Sequence, residues 1–112
     1  MNNILLRFKE QLKVVPETKE LNLANSEIND VCLIIFILPF INKYKITLLN
    51  LTCNQKGDEG AKALSTNTSI TQLNLSRNKI RLTGARELLK NTLIMQLDLS
   101  YNLVGYWGKY YQ

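Results

Sequence analysis

Histidine is absent from the 112 residues. That removes the commonest general base and the commonest neutral metal ligand, so no Ser-His, Cys-His or Glu-His pair can be assembled. Cysteine is scarce. Cys32 and Cys53 are too few for a zinc site or a disulfide framework, and a reducing compartment is the simplest setting. Long apolar runs are missing as well. The longest, VCLIIFILPFI at positions 31–41, has 11 residues against the roughly 20 needed to cross a bilayer. It reads as a buried helix, and no membrane role is expected. Arg7 and Lys9 interrupt the N-terminal apolar stretch, which argues against a targeting segment. Acidic residues are outnumbered 9 to 14, for a net charge of +5. Such an excess favours acidic partners but falls short of a nucleic-acid arm.

Other chemistry is thin. Asp58, Glu59 and Glu87 have no metal-binding spacing, so no metal site is expected. The GDEG segment from Gly57 lacks the Lys-Ser or Lys-Thr of a phosphate loop. Formal glycosylation sequons begin at Asn50, Asn67 and Asn74, but all three fall on repeat positions. No cofactor and no catalytic residue are expected, and the chain reads as a non-enzyme.

What is abundant is leucine and asparagine, with 20 and 13 copies. Such bias marks a repeat. TKELNLANSEI starts at Thr18, ITLLNLTCNQK at Ile46, ITQLNLSRNKI at Ile70 and IMQLDLSYNLV at Ile94, at offsets of 28, 24 and 24 residues. Leu21, Leu49, Leu73 and Leu97 align, as do Leu23, Leu51, Leu75 and Leu99. Alternate leucines put both side chains on one face of a short strand. Three residues after the second leucine come Ser26, Asn54, Asn78 and Asn102. An amide there can donate to and accept from the backbone of neighbouring turns, so Asn54, Asn78 and Asn102 are assigned as structural turn residues. Apolar residues at Ala61 and Leu64, then Ala85, Leu88 and Leu89, have helical spacing, with Asp58 or Thr83 available as caps. Each unit is strand, turn, helix, and cannot bury its apolar face without a stacked neighbour. Lys56 stands where Ile28 and Ile80 stand in other units. Its stem is expected to be buried with the ammonium in water.

The pattern in ITQLNLSRNKIRLTGARELLKN resembles the leucine-rich repeat family, in its ribonuclease-inhibitor-like subtype. The resemblance covers residues 18 to 112 and implies a short curved α/β solenoid, with parallel strands on the concave face and helices on the convex face. Residues 1–112 then form a single domain. Residues 1–17 are its N-terminal helical cap, repeats start near 18, 46, 70 and 94, and residues 105–112 are an aromatic C-terminal end. That end, with Trp107, Tyr110 and Tyr111, serves as a cap or as a binding surface.

The strand positions between the core leucines point the other way. They offer a short, polar surface from Leu48, Asn50, Gln72, Asn74, Gln96 and Asp98. Arg77 and Tyr101 precede the turn asparagines in adjacent units and should be neighbours on one rim. Neither position demands its residue for the fold, since Asn25 and Cys53 share the column. Lys79 and Arg81 alternate with Arg77. Together with Trp107 these residues are the expected partner-binding set. The family resemblance implies a module that holds another protein, an enzyme in the type member's class, and inhibits it by masking its active site. The chain is expected to act as a monomer within a heterodimeric complex. Small size and the Asn, Ile and Lys bias resemble the short leucine-rich repeat effectors of intracellular bacteria, which implies a cytoplasmic location or secretion into a host cytosol. The alternative is nucleic-acid binding through Arg77, Lys79, Arg81, Arg86 and Lys90, with Tyr101 stacking on a base. Asp98 and Glu20 on the strand face oppose it.

Overall fold

The computed structural model describes residues 19–103. The segments read as an N-terminal cap (1–17) and an aromatic end (105–112, with Trp107) lie outside the described residues. The element order is β1 (Glu20–Asn22), α1 (Asp30–Cys32), a π-helical segment (Leu33–Ile37), α2 (Leu38–Tyr44), β2 (Leu48–Asn50), α3 (Asp58–Ser65), β3 (Gln72–Asn74), α4 (Leu82–Leu89) and β4 (Gln96–Asp98). The four strands form one parallel sheet in the order β1-β2-β3-β4. Leu21 pairs with Leu49, Leu49 with Leu73 and Leu73 with Leu97, so the repeat alignment is the sheet register. The fold is a small α/β leucine-rich solenoid, with strands on one side and helices on the other.

The core is the space between them. Leu21, Leu23, Leu49, Leu51 and Leu75 have no exposed surface, and Ala61, Leu64, Ala85 and Leu88 close it from the helices. Asn54 and Asn78, both buried, tie each unit to the one before. The Asn78 Oδ1 accepts from the Lys56 N–H. Its Nδ2 donates to the carbonyls of Leu51, Leu75 and Ser76. Asn54 does the same with Ser26, Ile28, Leu23, Leu51 and Thr52, and Asn102 with Ile80, Leu75, Leu99 and Ser100.

A second asparagine ladder, not foreseen from the sequence, follows the helices. Asn67 accepts from the N–H groups of Ser69 and Ile70 and donates to the Asn42 side chain. Asn91, 24 positions on, donates to the carbonyls of Ser65 and Asn67.

The helix caps differ from expectation. Asp58 does not cap its own helix. It is the first residue of α3, after Gly57, which makes no side-chain capping bond. Its carboxylate reaches the next unit instead, accepting from the N–H groups of Arg81 and Gly84 at the start of α4. Thr83 is exposed in the first turn of α4. Asp30 likewise accepts from the Gly57 N–H ahead of α3. Acidic side chains suit helix N-termini, where free N–H groups and the dipole meet them. This cross-unit cap also explains the glycine column. A Cβ on Gly84 would sit 2.6 Å from the Asp58 Oδ1 and 3.0 Å from Ala61 Cβ and the Asp58 Cα. Backbone cannot yield as a flexible side chain does. Gly84→Ala is therefore expected to lower stability by about 1–3 kcal/mol through overpacking, measured by urea denaturation. Asp58→Ala is expected to lose about 1 kcal/mol of capping.

Two further expectations are corrected. The run at positions 31–41 is only half-buried. Leu33, Ile37 and Ile41 face the core, while Val31 is 62% exposed and Ile35 57%. The first unit is four residues longer than the others, and its helix passes through the π-helical turn, so one apolar stripe packs inward and a second points out. Lys56 is the other. Its ammonium does not reach water: the residue has 0% exposure. Its Nζ donates to the carbonyls of Ile28 and, at 3.3 Å, Asn29. Burial pushes its pKa from 10.5 down to about 7, against the upward pull of Asp30 and Cys32. The isoleucine column lies so deep in the coil that a lysine stem ends inside it.

Candidate functional site

The open strand face carries three columns of outward side chains. Glu20, Leu48, Gln72 and Gln96 form the first and Asn22, Asn50, Asn74 and Asp98 the second, each aligned across the sheet. Ala24, Thr52 and Ser100 follow beyond the strand ends, together with Ser76, which is buried. Period-two alternation sends these out wherever the leucines go in. β2, β3 and β4 frame a groove of about 370 Å³ whose lining includes Leu48, Asn50, Gln72, Asn74, Gln96 and Asp98. The structure thus brings six of the expected binding residues to one surface.

The second column is partly committed. Each Oδ1 accepts from the N–H two residues on: Asn22 from Ala24, Asn50 from Thr52, Asn74 from Ser76 and Asp98 from Ser100, at 2.9–3.1 Å. The side chains are fixed by their own backbone, an Asx arrangement. What they present outward is a row of amide donors on Asn50 and Asn74 and the second carboxylate oxygen of Asp98. Rigid donors lose little entropy on binding.

Arg77 and Tyr101 sit at the exit rim, with the guanidinium carbon 4.4 Å from the ring centroid. Tyr101 is 73% exposed. Their column has a backbone requirement that the sequence concealed. Asn25, Cys53, Arg77 and Tyr101 all have φ between 55° and 58°. Left-handed backbone costs most L-residues roughly 1–2 kcal/mol, and asparagine tolerates it. The fold therefore favours Asn25 in this column, and Arg77 and Tyr101 are held there against local preference. Arg77, Lys79 and Arg81 are exposed and alternate with buried Asn78 and Ile80, Arg77 at the left-handed bend and the other two on the segment that leads from it to α4. Cys53 is exposed and Cys32 buried, and both thiols are free.

Residues 45–65 and 66–89 match the family described as Leucine Rich repeat. Those two segments are similar to leucine-rich repeats. A solved structure named Leiomodin-1 Actin-Binding Site 2 (ABS2) is similar to this chain, with a TM-score of 0.63 and 30% sequence identity. The match covers 88% of this chain and 65% of that one, so the chain spans about 65% of the length of the solved structure it resembles. No curated protein matches the chain significantly. Among the described residues, no helix is long and apolar enough to cross a membrane. No group of three or more His, Cys, Asp or Glu residues there could hold a metal ion.

Proposed function

We propose that the chain is a non-enzymatic protein-binding module whose open strand face holds a partner protein. The strand face carries this reading. Short polar side chains stand in register over a groove, orientated by their own backbone, with Arg77 and Tyr101 at its rim. Arginine and tyrosine are among the residue types that dominate binding energies. Leu48, Asn50, Gln72, Asn74, Gln96 and Asp98 form the contact floor and Arg77, Lys79, Arg81 and Tyr101 its rim; Trp107, outside the described residues, is a further contact proposed from the sequence alone. The similar structure is named as an actin-binding site, so actin is the first partner assigned to this face.

The finer reading rests on the sequence resemblance. The bound protein is an enzyme whose active site the face covers, in a one-to-one complex. The chain acts as a bacterial effector on a host protein or another effector, in the bacterial cytoplasm or a host cytosol. Activity of the bound enzyme, assayed with and without the chain, tests that masking.

Labelled monomeric actin titrated with the full chain is expected to show saturable binding. Gln72→Trp with Gln96→Trp fills the groove and should weaken it about tenfold or more, with an unchanged melting temperature. Capture of a different protein that the same variant loses keeps the binding face and replaces actin. A partner held equally by the filled variant removes the face.

A further inference from the structure

The exit rim has a charge pattern that the strand face does not explain. Arg77, Lys79 and Arg81 point outward from one segment. Among the described residues the ion pairs are Lys62–Glu59 and Lys90–Glu87, so none of these three cations forms an ion pair there. Asp58 meets this segment through its backbone, its Oδ1 accepting from the N–H groups of Arg81 and Gly84. The Arg77 fork is also held in place. Its guanidinium lies on the Tyr101 ring at 4.4 Å, which occupies one face and leaves the N–H edge without a side-chain hydrogen bond among the described residues. A stacked guanidinium is pre-organised for a carboxylate, which it meets through two parallel hydrogen bonds. Along the equivalent row in earlier units stand Glu27 and Gln55, where Lys79 stands here, so the basic character belongs to the third unit alone.

Spacing narrows the ligand. Alternate residues of extended backbone lie about 7 Å apart, a spacing that applies to Lys79 and Arg81 but not to Arg77, which stands at a left-handed bend with φ 58°. Side chains at every second position of an extended peptide have the same repeat. We infer that the Arg77–Lys79–Arg81 edge, with Tyr101 as the platform for Arg77, docks an acidic segment of a protein partner, with carboxylates at alternate positions facing Lys79 and Arg81 and a further carboxylate on the Arg77 fork. This rests on the protein-binding reading above and names the chemistry of the partner at the rim. A polynucleotide bears the same sign of charge as an acidic peptide, so an oligonucleotide is one arm of the test.

The test uses the full chain and an alternating Glu-Ser decapeptide, titrated calorimetrically at low salt. Saturable binding is expected. Arg77→Glu, Lys79→Glu and Arg81→Glu combined should weaken it about tenfold or more. A control of equal charge change on the helical side, Lys43→Glu, Lys62→Glu and Arg86→Glu, should leave it within about twofold. Tyr101→Ala should weaken it several-fold and Tyr101→Phe should not, since the ring rather than the hydroxyl supports Arg77. Equal loss in the two charge-reversed variants means that net charge alone attracts the peptide, and overturns the assignment. So does an absence of peptide binding, or tighter binding of a single-stranded oligonucleotide. A chain that holds its protein partner but not the peptide overturns this inference and leaves the strand-face reading standing. Peptide binding alongside a partner that the groove-filled variant holds equally supports this inference and removes the strand-face reading.

Discussion

Raising the pH from about 7 to 10.5 is expected to stabilise the fold, and Lys56 is the cause. The unfolded chain keeps its lysine proton up to 10.5, whereas the folded chain releases it near 7 because burial opposes the charge. Between those values the unfolded state binds more protons, so stability rises with pH, by about 1.4 kcal/mol per pH unit. The gain over the window is roughly 3–5 kcal/mol. Below about 7 both states are protonated and the penalty is constant; above 10.5 both are neutral and it is gone. Lys56→Met removes the group while keeping an unbranched stem of similar length in the isoleucine column. The variant should be more stable than the wild type at pH 7 and should lack this rise. Urea denaturation of both proteins at pH 6.5, 8 and 9.5 measures the difference. Parallel pH profiles would show that Lys56 titrates in water.

Asn78→Ala is expected to be among the most destabilising single substitutions in the chain. The side chain is 6% exposed and makes four hydrogen bonds, one from the Lys56 N–H and three to the carbonyls of Leu51, Leu75 and Ser76. Alanine leaves a buried donor and buried acceptors unsatisfied at about 1–3 kcal/mol each. The total is about 3 kcal/mol or more even after water re-solvates part of the turn. Asn78→Asp keeps the Oδ1 acceptor for Lys56 but loses the three donations, so it should recover little. Thermal unfolding compares the three proteins. A melting temperature unchanged in Asn78→Ala would mean that the turn draws its hydrogen bonds from elsewhere.

The strands and the first asparagine column were legible because a repeat puts the same residue at the same place in every coil. Leu49, Leu73 and Asn78 could be read from their spacing, and their register in the sheet is the alignment itself. Asn67 and Asn91, also 24 positions apart and each three residues before a repeat start, carry the same signal, but nothing in the spacing says which backbone groups their amides meet. What the sequence hid lies mostly between units. Asp58 looks like a cap for the helix it begins, and nothing in the linear chain says that its carboxylate turns to α4. Lys56 could have ended in water or in the core; only the depth of the isoleucine column decides, and that depth is a property of stacked coils. The run at 31–41 read as wholly apolar and therefore buried, but a helix beside a sheet has one inward stripe whatever its composition. At the candidate site the polar strand columns were evident from alternation. The left-handed backbone beneath Arg77 and Tyr101 was not, since only Asn25 in that column has a residue type that advertises it.

The most direct measurement of the central claim, that the open strand face is where a partner binds, is the side-chain amide spectrum of the isotopically labelled chain during titration with a bound protein. Gln72 and Gln96 stand exposed on that face, and Asn50 and Asn74 project their amide donors from it. Their amide signals should shift or broaden on binding, while the amides of Asn67 and Asn91, locked in the ladder behind the helices, hold their positions. Perturbation confined to the backbone of α3 and α4, with Gln72, Asn74 and Gln96 unmoved, would place the partner on the helical side and contradict the account.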